Sequence, residues 1–208
     1  YEGFLYNLAN GAYRCGGIAG VSDNPIEAAT VYATIECESH DVGGVVGLST
    51  ATVNHSTFSG NITITPVDYY EQPAAVGGIV GDWFVHSEHD LGNNNVYATL
   101  NAEWITGGIV GALDTSLVET DATISIGGSS VVGEMKNAHY AGGFVGSVID
   151  WQRTPQDNGP VIQLAMDYSS VKYTDIIDDI DAVILTWWGT EFYNVVWDST
   201  KPNAISTF

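Results

Sequence analysis

Positively charged side chains are scarce in this 208-residue sequence, which has five lysine and arginine residues against 25 aspartate and glutamate residues. The formal net charge is −20 at pH 7. Because nucleic acids and anionic membranes repel such a surface, the composition argues against binding to either. Charged residues make up 14% of the chain and apolar residues 45%, which predicts a folded body of small, apolar and uncharged polar residues.

Long apolar runs and known catalytic fingerprints are also missing. No segment approaches the roughly 18 consecutive apolar residues that a transmembrane helix needs, so no transmembrane segment is predicted. The sequence contains no nucleophile elbow, phosphate-binding loop or dinucleotide-binding fingerprint. Its length suits a single domain with one sizeable core.

A glycine-rich pentapeptide recurs five times within the first 150 residues. Each copy has the form Gly-Gly-apolar-apolar-Gly, and successive copies begin 27, 34, 30 and 35 residues apart. The apolar pair suits a buried strand, and the glycines permit close approach of a neighbouring backbone. The two leading glycines of the copies are Gly16 and Gly17, Gly43 and Gly44, Gly77 and Gly78, Gly107 and Gly108, and Gly142 and Gly143.

An alternating segment rich in strand-forming residues lies between the glycine copies. It occurs at residues 31–35 (VYATI), 56–62 (STFSGNI), 96–100 (VYATL) and, more loosely, 120–124 (TDATI). Units of this length that cannot bury their own apolar face are typical of solenoids, in which each unit stacks on the next. The alternative is a β-sandwich whose strands resemble one another. Stacking predicts one internal column formed by Ile18, Val45, Ile79, Ile109 and Phe144.

These repeats resemble the bacterial G-L-U-G motif family, in which Gly-Gly-Leu-Val-Gly precedes an Asn-x-Tyr-Ala-Thr-Gly strand. The resemblance covers residues 16–150, with Ile, Val or Phe in place of the usual Leu, and residues 192–198 (FYNVVWD) resemble the segment that often closes such arrays. The family occurs in surface adhesins, filamentous-haemagglutinin-like proteins and the non-catalytic part of bacterial immunoglobulin-A peptidases. The resemblance implies an all-β, right-handed parallel β-helix, secreted or on a cell surface, without catalytic residues.

The repeat count predicts about five or six coils. We expect residues 1–150 to form the β-helix repeats and residues 151–208 a C-terminal closing region of the same domain, because the pattern breaks after Val148 and terminal solenoid units are atypical. Residues 127–133 (GGSSVVG) resemble a degenerate glycine strand that adds a coil. Residues 65–75 and 82–95 are expected to form longer loops, whose aromatic side chains would stack on sugars or cover the side of the solenoid.

Cys15 and Cys37, the only two cysteines, are 22 residues apart. Because this separation is close to one repeat, a solenoid brings them onto neighbouring coils. We predict a disulfide that stabilises the N-terminal end by roughly 3 kcal/mol, in keeping with an oxidising compartment. The alternative is two buried free thiols.

Two groups of side chains are candidate metal ligands. His86 and His89 lie near Asp90, but no third nitrogen or sulfur ligand stands close in sequence, which disfavours a transition metal. The second group offers clustered carboxylate oxygens that suit calcium, although a solvated acidic turn is the interpretation we favour. It consists of Asp178, Asp179 and Asp181. No other cofactor is predicted.

Enzymatic chemistry is poorly supported by the sequence. Glycosidases use a pair of carboxylates flanking the scissile bond, and no such pair recurs across adjacent repeats. The two arginines that might abstract a proton, Arg14 and Arg153, both lie outside the middle of the array. We therefore predict a non-enzymatic protein. A polysaccharide hydrolase, a glycan-binding module and an ice-binding face are the alternatives.

Aromatic, strand-forming residues are concentrated at both ends of the sequence. The ends of a solenoid expose unpaired backbone groups that invite pairing with another chain, and contact between unlike ends propagates into a filament. We predict an extracellular structural or adhesive protein that self-associates into a homopolymer, with surface glycans or cell-surface proteins as further partners. The alternative is that each terminal stretch caps its own end. The candidate assembly residues are Tyr1, Phe4, Tyr6, Trp187, Trp188 and Trp197.

Overall fold

The computed structural model describes residues 2–7, 14–65, 74–87, 89–102, 105–138 and 140–149, together with five further strands between 162 and 207. Side chains are described only within residues 14–149. All regular secondary structure in this part of the chain is β-strand. Among these residues there is no helix with the length and apolar character to cross a bilayer.

The widest sheet, sheet A, has seven strands, and every neighbouring pair in it is parallel. In spatial order its strands are β1 (Glu2–Asn7), β5 (Thr30–Cys37), β9 (Thr57–Ile64), β13 (Asn95–Asn101), β17 (Ser130–Lys136), β21 (Ser170–Ile176) and β24 (Ile205–Thr207).

Sheets B and C, also parallel, contain the strands on the two sides of each glycine pentapeptide. Sheet B consists, in spatial order, of β18 (Tyr140–Gly142), β14 (Ile105–Gly107), β10 (Ala75–Gly77), β6 (Asp41–Gly43) and β2 (Arg14–Gly16). Sheet C consists of β22 (Ile184–Thr186), β19 (Val145–Ile149), β15 (Val110–Asp114), β11 (Val80–Phe84), β7 (Val46–Ser49) and β3 (Ala19–Ser22).

Short strands form two smaller parallel sheets, D and E, between sheets C and A along the chain. Sheet D pairs β4 (Ile26–Glu27) with β8 (Val53–Asn54). Sheet E orders β12 (His89–Asp90), β16 (Ala122–Ser125), β20 (Ile162–Ala165) and β23 (Val195–Trp197).

The chain visits these sheets in one constant order, namely B, C, then D or E, then A. We call one such passage a circuit, and each circuit adds one parallel strand beside the strand of the preceding circuit. Alternation in sheet A explains why these residues form strands, because side chains that point inward are apolar and those that point outward are polar. The inward columns are Val31, Phe58, Val96 and Val131, then Ala33, Gly60, Ala98 and Gly133, then Ile35, Ile62, Leu100 and Met135.

The glycine pentapeptides form the corner between sheets B and C, where neighbouring backbones lie unusually close. A Cβ atom added to Gly81 would lie 2.5 Å from both Val42 N and Gly47 O. One added to Gly78 would lie 2.6 Å from Cγ1 of Val96, the first inward residue of β13. Such separations are far inside van der Waals contact, so glycine is required at these corners because nothing larger fits.

The column predicted for the corner residues forms. Hydrogen bonds of 2.9–3.0 Å join the amide of Ile18 to Val45 O, of Val45 to Ile79 O, of Ile79 to Ile109 O, and of Ile109 to Phe144 O. The prediction that all five are internal is wrong for Ile18, whose side chain is 49% exposed while the other four are fully buried. Ile18 belongs to the first circuit, and among the described strands none lies on the outer side of this circuit in sheets B and C to cover it.

Two assignments in the fourth circuit are wrong. The sequence places residues 120–124 with the alternating segments, which form strands of sheet A in the other circuits. Instead, Ala122–Ser125 is β16 of sheet E. Residues 127–133 do not add a coil, because Gly127 and Gly128 lie in a turn and the following residues form β17 of sheet A. The reason is packing: Val131 and Met135 point inward, and Gly133 matches the small residues Ala98 and Gly60 of its column.

The expected loop at residues 82–95 is also wrong in part. Asp82 to Phe84 belong to β11, and His89 and Asp90 form β12. Trp83 is fully buried, and its Nε1 donates a hydrogen bond of 3.0 Å to Ala51 O, so this aromatic residue fills the core and is unable to stack on a ligand. Most of the loop expected at 65–75 lies outside the described residues.

The strand order does not break after Val148, where the repeat pattern weakens. Strands β20 to β24 add to sheets A, C and E in the same order as before. The acidic segment 175–181, which contains the possible calcium ligands, begins as strand, since Asp175 and Ile176 end β21. Its remaining residues lie outside the described part of the chain.

Cys15 and Cys37 are joined in a disulfide, with their Cα atoms 6.9 Å apart. Cys15 lies in β2 and Cys37 ends β5, so the bond links the first and last strands of one circuit. It therefore does not join neighbouring coils as expected, because 22 residues are slightly less than a full circuit here. Both side chains are buried.

Replacing Gly81 by alanine should strongly destabilise the fold, because the new Cβ meets backbone atoms of sheets B and C that have no freedom to move apart. We expect Gly81→Ala to lower the free energy of unfolding by about 3 kcal/mol or more, measured by urea unfolding, or to abolish soluble expression. Gly20→Ala is the matched control, since it occupies the same motif position in the first circuit and its Cβ would lie 3.0 Å from Arg14 O. Equal stability of the two variants would contradict this account of the corner.

Removing the disulfide should also destabilise the protein, by about 3 kcal/mol, because the open 22-residue segment gains conformational entropy when unfolded. Urea unfolding of the Cys15→Ala/Cys37→Ala variant measures this loss. A thiol reductant should produce a similar loss in the unaltered protein and none in the variant. A reductant that leaves the unaltered protein equally stable would show that the two sulfurs are not bonded in solution.

Candidate functional site

The outward-facing side chains of four adjacent strands of sheet A form the first candidate site. We call the outward residues of β5, β9, β13 and β17 the polar face. The register across these strands contains no bulge, so equivalent side chains line up at the strand spacing of about 4.8 Å. The columns are Thr30, Thr57, Asn95 and Ser130; Tyr32, Ser59, Tyr97 and Val132; Thr34, Asn61, Thr99 and Glu134; and Glu36, Thr63, Asn101 and Lys136.

Two tyrosines are the most prominent side chains of the polar face. Tyr32 is 52% exposed and Tyr97 is 50% exposed. Both pair in register with Ser59, which lies between them. They therefore stand two strands apart in one column, a separation of roughly 10 Å.

The polar face carries little net charge, in contrast to the protein as a whole. Its charged residues are Glu36, Glu134 and Lys136. Lys136 Nζ lies 2.8 Å from Glu134 Oε2, so these two form an ion pair. Hydroxyl and amide groups make up most of the rest, and Ser130 Oγ donates a hydrogen bond of 2.7 Å to Asn95 Oδ1.

A cluster of four ionisable side chains on sheets B and C is the second candidate site. It takes one residue from each of four successive circuits: Arg14 from β2, Asp41 from β6, Asp82 from β11 and Asp114 from β15. Arg14 and Asp41 are register partners, with Arg14 Nε 3.2 Å from Asp41 Oδ2. Asp82 Oδ1 is out of contact with water and has no hydrogen-bond partner, although the residue as a whole is only part-buried.

Burial governs the acidity of this cluster. Burial raises the pKa of Asp41 from 3.8 to about 7, and the Arg14 charge only partly offsets this. Burial also raises the pKa of Asp82 well above 3.8, and the neighbouring carboxyl groups of Asp41 and Asp114 raise it further by repulsion. The carboxyl groups of Asp41 and Asp82 therefore hold their protons to higher pH than exposed aspartates do.

Sequence reasoning missed this cluster because its members occupy different strand positions. Asp82 pairs in register with Leu48 and Ala112, so a carboxylate in an otherwise apolar column was the available signal. Asp82 lies close enough to Asp41 and Asp114, which belong to the neighbouring circuits, for their carboxyl charges to raise its pKa. Within the described part of the chain, however, no group of three or more side chains is arranged to hold a metal ion.

The other predicted site residues are only partly described by the structure. The possible calcium ligands Asp178, Asp179 and Asp181 lie outside the described residues. His86 is exposed, but the side chain of His89 is not described. Of the candidate assembly residues, Phe4 and Tyr6 lie in β1 and Trp197 in β23. Tyr1, Trp187 and Trp188 lie outside the described residues.

Comparisons of the chain with models of known protein families, with curated proteins and with solved structures each found no match.

The acidic cluster predicts that the protein loses stability as pH rises. A carboxyl group whose pKa is higher when folded binds more protons in the folded state, so the free energy of unfolding falls as pH rises from about 4 to about 7. Asp82→Asn removes a carboxyl group whose pKa is raised in the folded state, so it should stabilise the protein at about pH 8 and have little effect near pH 4. Urea unfolding at both pH values measures the difference.

Asp23→Asn is the matched control, because it makes the same substitution at an exposed aspartate. It should leave the pH dependence of unfolding unchanged. If Asp82→Asn shows the same pH dependence as the unaltered protein, the ionisation of Asp82 is not coupled to folding.

Proposed function

We propose that the chain forms a right-handed parallel β-helix and acts as a non-enzymatic extracellular structural or adhesive protein whose copies associate end to end. The constant order of sheets and the in-register stacking of the glycine corners support the β-helix. The resemblance of the repeats to those of surface adhesins supports the location and the role. Self-association into a filament is the specific form of the proposal.

The open edge of the first circuit is the observation that carries this proposal. Ile18 and Val21 are each 49% exposed, whereas their partners in the second circuit, Val45 and Leu48, are buried. The first circuit thus leaves exposed to solvent the apolar side chains that are buried at the same positions of the second circuit. Stacking one more circuit on this edge would bury them as the second circuit buries its own residues.

Backbone groups at this edge favour pairing with another strand. Strands β2, β3 and β4 each have one hydrogen-bonded neighbour among the described strands, and β1 has only β5. An exposed strand edge is a template for addition of a further strand. Because the two ends of a stack differ, end-to-end contact does not close on itself and produces a filament.

The charge of the protein would keep such filaments apart. A net charge of −20 opposes sideways contact between filaments, and the repulsion weakens as salt or divalent cations screen it. Calcium is therefore expected to promote bundling without a dedicated binding site.

Burial of the acidic cluster supports a non-enzymatic role. A general acid or base must come within hydrogen-bond reach of the group that it protonates or deprotonates. The Asp41 side chain is only 12% exposed and is paired with Arg14, and Asp82 Oδ1 is out of contact with water. Carboxyl groups held in this way are poorly placed to reach a polysaccharide, which weighs against the hydrolase alternative.

Charge placed on the open edge should prevent assembly. The variant Ile18→Glu/Val21→Glu puts two carboxylates on the open edge of the first circuit. Their charge repulsion and the cost of removing them from water oppose stacking. We expect the unaltered protein to form species that grow with concentration in light scattering, and the variant to remain monomeric. Calcium should increase scattering of the unaltered protein alone.

Leu117→Glu is the control for this experiment, because Leu117 is an exposed apolar residue in a turn away from the first circuit. It should assemble like the unaltered protein. A monodisperse monomer of the unaltered protein at high concentration, with and without calcium, would rule out end-to-end assembly.

A further inference from the structure

We infer that the polar face binds a linear, uncharged polysaccharide, with Tyr32 and Tyr97 as the platforms on which sugar rings pack. The tyrosines are the starting point. Each tyrosine is about half exposed, so part of the apolar surface of its ring remains in contact with water. Two such rings in one column mark the place where the face offers apolar contact.

The geometry of the column suits a polymer that runs across the strands. Tyr32 and Tyr97 are separated by one strand, whose residue in this column is the small Ser59. A chain lying along the column would meet a ring, a gap and a second ring at intervals of roughly 5 Å. Each sugar ring has C–H groups on its faces, which pack on aromatic rings, and hydroxyl groups around its edge, which need hydrogen-bond partners.

The columns on either side provide those partners. Thr57 and Asn95 lie beside Ser59 and Tyr97 on one side, and Asn61 and Thr99 lie on the other. Hydroxyl and amide side chains both donate and accept hydrogen bonds, as the hydroxyl groups of a sugar do. Glu36 and Lys136 lie in the outermost column, and Glu134 lies in the next column and is paired with Lys136. Within these four strands, the column of Tyr32 and Tyr97 therefore carries no formal charge.

Charge selects an uncharged ligand over the other candidates. The protein carries −20 overall, yet in the described part of the polar face Glu36 is the one charged residue outside the Glu134–Lys136 ion pair. An anionic polymer would be repelled by the rest of the molecule and would find no cationic row here. An ice-binding face would present small, uniform side chains, whereas the polar face carries the large exposed rings of Tyr32 and Tyr97.

Binding to three polysaccharides tests the inference: microcrystalline cellulose, chitin particles and soluble β-glucan. Sedimentation with the two solids and calorimetry with the soluble polymer should show binding to at least one. The Tyr32→Ala/Tyr97→Ala variant should bind that polymer at least about tenfold more weakly, because each lost ring removes stacking contact. Tyr32→Phe/Tyr97→Phe keeps the rings and should retain most of the affinity. Circular dichroism should show the same fold for all variants.

Leu117→Ala is the control, since it removes an exposed apolar side chain outside the polar face, and it should bind normally. Absence of binding to all three polysaccharides would overturn the inference. So would binding that the double alanine variant retains, or inhibition of ice growth without polysaccharide binding. Because assembly depends on Ile18 and Val21, the Ile18→Glu/Val21→Glu variant should still bind, and the two proposals can fail separately.

Discussion

The close backbone contact at the glycine corners is the constraint on which the rest of the structure depends. At Gly81 the strands of sheets B and C approach so closely that even a methyl group would overlap Val42 N and Gly47 O. This contact fixes where each circuit turns, and the hydrogen bonds from Val45 to Ile79 and from Ile79 to Ile109 then hold successive corners in line. Sheet A follows, because strands that leave aligned corners are brought into register.

Because the circuits are aligned, the inward and outward faces of sheet A are under different packing constraints. Inward residues must fit columns of fixed volume, as the alternation of Ala33, Gly60, Ala98 and Gly133 shows. Outward residues such as Tyr32 and Thr99 meet no such limit, so they are free to serve recognition. Among the described strands, the first circuit has no neighbour on its outer side in sheets B and C. Ile18 is exposed for this reason, although Val45 in the same column is buried.

The sequence predicts the repeated features well and the single ones poorly. Five glycine copies identify the corners, and alternation identifies β5 and β13, because both signals recur at every circuit. The prediction for residues 120–124 is wrong because they match the repeat in composition only. Residues 130–136 form the strand of sheet A instead, since Val131 and Met135 pack in its core. The cluster around Asp82 is hard to predict, since its members come from four circuits, and the available signal was one carboxylate between Leu48 and Ala112.

Nuclear Overhauser contacts between backbone protons test the account most directly. If the circuits stack as described, labelled protein should show contacts linking Val46 to Val80 and Val80 to Val110, because paired strands lie about 4.8 Å apart. These pairs are 34 and 30 residues apart in sequence. Contacts that instead join β6 to β7 as an antiparallel pair, with none between successive glycine corners, would contradict it.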